Sequence, residues 1–187
     1  MALPQSLMVS VMPSELELIA CEQLVEIIPL VAMEKTAFIS GAYGPLRPPA
    51  RCKVPIWIAT NLKLKKKCHI VPPSWLNIEY LQDRLSRETT YPEFSAMPFR
   101  FAEIAKVLLD VASDDFQNAD KIRSLLKDIR EARQAKSREG LTKLDHSELS
   151  LPNLSSMEIN EIRPHFVKGM ESLVKLVKDP EGRHMES

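Results

Sequence analysis

The adjacent prolines Pro72 and Pro73 divide this chain into two stretches that obey different periodicities. Neither can donate a backbone hydrogen bond, and each pushes the residue before it toward extended conformations, so no regular element is expected to run through the pair. Upstream, the apolar runs are short and β-branched: LVEIIP at residues 24–29, KTAFIS at 35–40 and CHIV at 68–71. These read as strands of a small sheet. The glycines and prolines of residues 41–49 suit a turn or loop.

Two short helices belong to the same stretch. Ser14 followed by Glu17 has the spacing of a capping box, ahead of Leu16, Ile19 and Ala20. Pro55 suits the first turn of a helix over residues 56–62, with Lys63, Lys65, Lys66 and Lys67 closing it where the helix dipole favours cations.

Downstream, apolar residues recur by threes and fours. Ile78, Leu81 and Leu85 open the pattern, and a loop comes next through Tyr91, Pro92 and Met97. Pro98 then starts a helix whose Phe101, Ile104, Ala105, Leu108, Leu109 and Ala112 share one face, and Asp114 and Asp115 end it. Asn118 is placed to cap the next helix, which carries the stripe Ile122, Leu125, Leu126, Ile129 and Ala132 and meets a natural stop at Gly140. Its later turns hold Arg130, Arg133, Lys136 and Arg138, so that half protrudes or meets something acidic. A second capping box, Ser155 with Glu158, opens a segment bearing Ile159 and Ile162, and beyond Pro164 the chain forms either a second helix or a kinked continuation of the first. The fold expected is α+β and mainly α. A small β-containing domain spans residues 1–72, a helical bundle domain residues 73–178, and a flexible polar tail residues 179–187.

Lys plus Arg equals Asp plus Glu at 25 each, so no global field gathers phosphate or holds the chain to an anionic membrane. Prolines and charges interrupt every apolar run well short of the roughly 20 residues a membrane helix needs. Three scattered cysteines fit a reducing compartment rather than a disulfide framework. No glycine-rich phosphate loop, HExxH or GxSxG occurs, and His69, His146, His165 and His184 lie far apart. The chain is therefore expected to be non-catalytic, with no cofactor and no metal.

Three features carry both a functional and a plainer reading. Lys63, Lys65, Lys66 and Lys67, with Arg130 and Arg133, are candidates for touching DNA or a partner, although lysines in a last helical turn more commonly answer the dipole and the solvent. Asp114 and Asp115 more often cap or stay solvated than bind a cation. Trp57 and Trp75, on either side of the proline pair, fit core packing ahead of a partner anchor. The stripe residues Phe101, Ile104, Leu108, Leu109, Ile122, Leu125, Leu126 and Ile129, together with Ile159 and Ile162, are core or subunit interface.

In order along the chain, LVEIIP (24–29), VPIWIATNLK (54–63), KCHIVPPSWL (67–76), DDFQNADKIRSLLKDIREAR (114–133) and LPNLSSMEINEIRP (151–164) resemble the GINS complex subunit 2 family. That resemblance implies a β-containing domain followed by a helical domain, and membership of a heterotetramer with the other three GINS subunits. It implies partnership with the MCM hexamer and the Cdc forty-five protein at replication forks on chromatin in the nucleus, where the ATP chemistry belongs to the MCM motor. Helix faces around Leu108, Leu125 and Ile129 would build the four-subunit core, and contact with DNA would be weak or indirect. The residues outside about 14–177 match nothing in the family pattern.

Overall fold

The computed structural model describes residues 10–142 and 152–178. The element order is α1 (Pro13–Ala20), β1 (Leu24–Pro29), β2 (Thr36–Phe38), β3 (Gly41–Tyr43), β4 (Cys52–Pro55), α2 (Ile56–Leu64), β5 (Cys68–Ile70), α3 (Ile78–Thr90), α4 (Phe101–Ala112), a 3-10 turn (Ser113–Asp115), α5 (Ala119–Thr142) and α6 (Ser156–Lys178). The expected class, α+β and mainly α with the sheet first, is the one observed.

β1 is the centre of a three-stranded antiparallel sheet in the order β4-β1-β5. Val25, Ile27 and Pro29 alternate inward, and Ile27 lies opposite both Cys52 and Ile70. β4 is not visible in the sequence because Cys-Lys-Val-Pro is too short to display an alternation, and its proline is tolerated only at the strand's end. β2 and β3 form a separate hairpin, so residues 41–43, expected as loop, are strand. Gly44, just beyond, has φ 103°, and a Cβ there would stand 3.2 Å from the Glu34 carbonyl oxygen and from Lys35 Cα. Only glycine fits that turn without strain.

Helix boundaries depart from expectation where capping differs. α1 starts at Pro13, with Glu15 rather than Glu17 accepting from the Met12 N–H at 3.1 Å, so Ser14 lies inside the first turn. α4 starts at Phe101, three residues beyond Pro98, whose carbonyl accepts from the Phe101 N–H at 3.0 Å. Asn118 precedes α5 with φ 55°, a left-handed conformation asparagine tolerates, and its backbone carbonyl accepts from Ile122. α5 continues past Gly140 to Thr142, because nothing at Gly140 requires a left-handed turn. α6 is one element with Pro164 inside it. The Ser155 and Glu158 box forms as expected: the Ser155 N–H donates to Glu158 Oε2 at 2.7 Å and the Glu158 N–H to Ser155 Oγ at 3.4 Å. The tail at residues 179–187 lies outside the described residues.

One hydrophobic core runs from Val25 and Ile27 of the sheet, through Ile56, Ala59 and Leu62 of α2, to Leu108 of α4 and Ile122 and Ile129 of α5. A polar clasp joins the same parts at the surface. Lys63 Nζ lies 2.8 Å from both Asp114 and Asp115, His69 Nδ1 lies 2.8 Å from Asp115, and the Ile70 N–H donates to Asp115 at 2.7 Å.

Candidate functional site

Stripe periodicity puts Phe101, Ile104, Leu108 and Leu109 on one side of α4, and Ile122, Leu125 and Ile129 on one side of α5, and all of them are buried inside this chain. Leu108 and Ile129 are 0% exposed, so the expectation that the faces around Leu108, Leu125 and Ile129 meet other subunits is corrected: folding of the chain itself already consumes them. Leu126 and Ile162 are half-buried and Ile159 is exposed, so these three retain surface to offer a partner.

The basic candidates separate in the same way. Lys63 is held by Asp114 and Asp115 and is not available to a phosphate. Burial works against its charge, but the two carboxylates outweigh it and raise the ammonium above the ordinary lysine value. Lys65, Lys66 and Lys67 are exposed. Arg130 is exposed but hydrogen-bonded to Glu161 at 2.6 Å.

Arg133 is 0% exposed, which overturns its reading as a DNA or partner contact. Its Nε donates to Glu158 at 2.5 Å, Nη2 to Glu158 at 2.8 Å and to the Asn153 carbonyl at 2.7 Å, and Nη1 to Glu88 at 2.6 Å. The guanidinium also lies over the Phe94 ring, 4.9 Å from its centroid. Lys136 adds a second cation to Glu88 at 2.6 Å. Burial alone would raise the Glu88 carboxyl, but Lys136, Ser95 and Arg133 together hold it below the ordinary glutamate value. Of the two alternatives for this half of α5, protruding or meeting something acidic, Arg133 and Lys136 take the second, and the acid lies within the chain.

The pairing of Glu88 with Arg133 is not foreseen from the sequence, although a signal is present there. Glu88 continues the Leu81 and Leu85 stripe three residues on, and Arg133 comes four residues after Ile129, so opposite charges occupy core-facing positions of two helices. Such charges are buried only when paired.

The surface carries two apolar depressions of note. One, of about 320 Å³, lies between the β2-β3 hairpin and α2, where Trp57 meets Phe38 edge-on at 5.1 Å and Tyr43 at 6.4 Å. Trp57 is half-buried and packs on the hairpin, and Trp75 is half-buried against the core. The other, of about 330 Å³, is a groove walled by α4, α5 and the start of α6, with Glu17 of α1 at its edge. Glu103, only 1% exposed, lines it, and neither of its carboxylate oxygens has a hydrogen-bond partner. Burial pushes this carboxyl above the ordinary glutamate value. Its own N–H, the Ser156 hydroxyl and Arg100 oppose the rise without outweighing burial, while Glu158 adds to it.

Chemistry-bearing residues converge nowhere else among the described residues in a way that points to catalysis. His69 is engaged by Asp115, and His146 and His184 lie outside the described residues. Cys68 is buried with its thiol pushed up to about 11, first by burial and then by Asp115, and its Sγ donates to the Ala59 carbonyl. Among the described residues no group of His, Cys, Asp and Glu could hold a metal ion, and no helix is long and apolar enough to cross a membrane.

A family profile described as PSF2 N-terminal domain matches residues 12–71, and one described as GINS complex protein helical bundle domain matches residues 75–176. Among curated proteins, the chain is 40% identical to the DNA replication complex GINS protein psf2 of Schizosaccharomyces pombe, over 95% of this chain and 97% of that one. It is 37% identical to the Xenopus laevis DNA replication complex GINS protein PSF2 and 35% identical to that of Homo sapiens, in each case over 87% of this chain and 90% of the relative. With a helical bundle profile covering more than half of its length and relatives of this identity aligned nearly end to end, the chain belongs to the PSF2 family of GINS complex proteins.

Proposed function

We propose that the chain is a non-catalytic scaffold subunit of a heterotetrameric GINS complex, acting in the nucleus at chromatin-bound replication forks together with the MCM hexamer and the Cdc forty-five protein. The observation that carries the reading is a neighbourhood of apolar side chains that this chain leaves uncovered. Leu18 and Ile19 of α1, Phe99 before α4 and Ile159 of α6 are all exposed. Two hydrogen bonds link the segments that carry them: the Arg100 guanidinium donates to the Ile19 carbonyl, and the Ser156 N–H to the Phe99 carbonyl. Exposed apolar residues on segments that hydrogen bonds hold side by side are a feature of surfaces that meet other proteins.

On this reading the residues up to 72 form a small domain and residues 73–178 the helical unit. Any contact with DNA falls to Lys65, Lys66 and Lys67, whose binding would weaken steeply with salt.

The test is co-expression with the three other GINS subunits, followed by the solution mass of the purified assembly by light scattering. One copy of each chain supports the scaffold. A monodisperse monomer that ignores those partners defeats it.

A further inference from the structure

Every cation lining the α4-α5-α6 groove is engaged within the chain. Lys106 pairs with Glu17 at 2.5 Å, Arg130 with Glu161 at 2.6 Å, and Arg123 donates to the Leu109 carbonyl at 2.7 Å. Lys127 faces Glu131 at 3.7 Å. Among the described residues, Glu103 lacks what the other carboxylates buried in the helical unit have: Glu88 and Glu158 share Arg133, whereas Glu103 has no hydrogen-bond partner at 1% exposure. A buried carboxylate that no cation touches, with Arg100 acting on it only through space and outweighed by burial, is costly, and the molecule relieves that cost either by protonation or by taking a cation from elsewhere.

We propose that this groove receives one lysine or arginine side chain from a neighbouring subunit, its charge pairing with Glu103 in the assembled complex. The inference rests on the scaffold reading. The groove's chemistry selects the occupant. Its walls include Phe101, Ala105, Leu109, Leu126 and Met157, which suit the aliphatic stem of a long basic side chain, while Glu103 supplies the charge for its head. A wholly apolar side chain would seal Glu103 further from water and return nothing to it, and an acidic one would add a like charge. The groove also adjoins the exposed apolar neighbourhood, since Glu17 at its edge precedes Leu18 and Met157 on its wall lies two residues from Ile159. A partner covering one would reach the other.

The test uses the full chain carrying Glu103→Gln, which keeps the shape and removes the charge. Two measurements are made: urea unfolding of the chain alone, and competition between differently tagged wild-type and variant chains for limiting amounts of the other three GINS subunits. The variant is expected to unfold at an equal or higher urea midpoint, yet to be under-represented in the purified assembly by about tenfold or more, the scale of one charged hydrogen bond lost at a desolvated contact. Equal incorporation would overturn the proposal while leaving the scaffold reading intact. A lower urea midpoint would overturn it as well, because Glu103 would then already have a stabilising partner inside its own chain. If the wild-type chain itself fails to join the other subunits, it is the scaffold reading that falls.

Discussion

Arg133 meets Glu158 side-on, with Nε and Nη2 each donating to a separate carboxylate oxygen at 2.5 and 2.8 Å, while both residues are shut away from solvent. Because Nη1 goes to Glu88, the one guanidinium ties α5 to α6 and to α3, and its bonds to the Ser95 and Asn153 carbonyls fix the loops between them. Replacing Arg133 with methionine would leave two carboxylates buried with too few counter-charges. A destabilisation of about 3–5 kcal/mol is expected in urea unfolding. Arg133→Lys should recover only part of it, since an ammonium cannot make the paired contact.

The clasp at Asp115 should show itself in acid. Burial works to raise this carboxyl, but Lys63, the Ile70 N–H and His69 outweigh it and hold it below the ordinary aspartate value. A folded value lying below the unfolded one contributes stability that is present above the unfolded value and is lost as pH falls through the folded one. Asp115→Asn should therefore cost stability at neutral pH, about 1–3 kcal/mol for a charged network of this kind, and the cost should shrink as the wild-type carboxyl is protonated below about pH 4. Urea midpoints measured from pH 7 down to pH 3 would reveal it. A wild-type and variant difference that stays constant with pH would mean Asp115 is not the ionised partner.

Glu103 should act with the opposite sign. Its folded value is raised, so the stability tied to it is complete below the unfolded value and diminishes as pH rises through the folded one. In the isolated chain, Glu103→Gln should match or exceed the wild type in stability at pH 7, and any excess should shrink toward pH 4. The same urea series reads this directly.

Aspartate substitutions should separate core from docking face. Leu125→Asp buries a charge at a site 4% exposed and should cost several kcal/mol, so that the chain is lost from the soluble fraction. Ile159→Asp, on an exposed position of α6, should leave the chain's own unfolding within about 0.5 kcal/mol of wild type and reduce its recovery with the other GINS subunits. Loss of fold at Ile159 would place that residue in the core instead.

Elements are legible in the sequence wherever one periodicity runs long enough. β1 and the stripes of α4 and α5 stand out because their apolar residues repeat without interruption, and the Ser155 and Glu158 box because capping is a local affair. β4 and β3 do not: β3 starts at Gly41 and ends just before Gly44, a composition that reads as a turn, and β4 is four residues ending in proline that pair with a segment distant in the chain. The stripe of α4 is legible, but not which molecule would cover it, because periodicity reports that a face is buried and not by what. Arg133 is misjudged from sequence for the same reason: as one of four cations in a row it resembles a solvated surface, and only the fold brings Glu88 and Glu158 to it. Glu103 stands in the first turn of α4, where acidic residues are ordinary, so nothing local marks its isolation.

The continuity of the core across Pro72 and Pro73 bears on how this molecule can be cut. Two profiles recognise the chain on either side of the prolines, as though it were two modules. Yet Ile56, Ala59 and Leu62 share their apolar cluster with Leu108, Ile122 and Ile129, and the Lys63 clasp closes over the same seam. Severed there, each half would bare a greasy face where its complement had been, and the two should melt as one cooperative unit when left joined. What descends as two pieces of sequence therefore has to be made, folded and discarded as one.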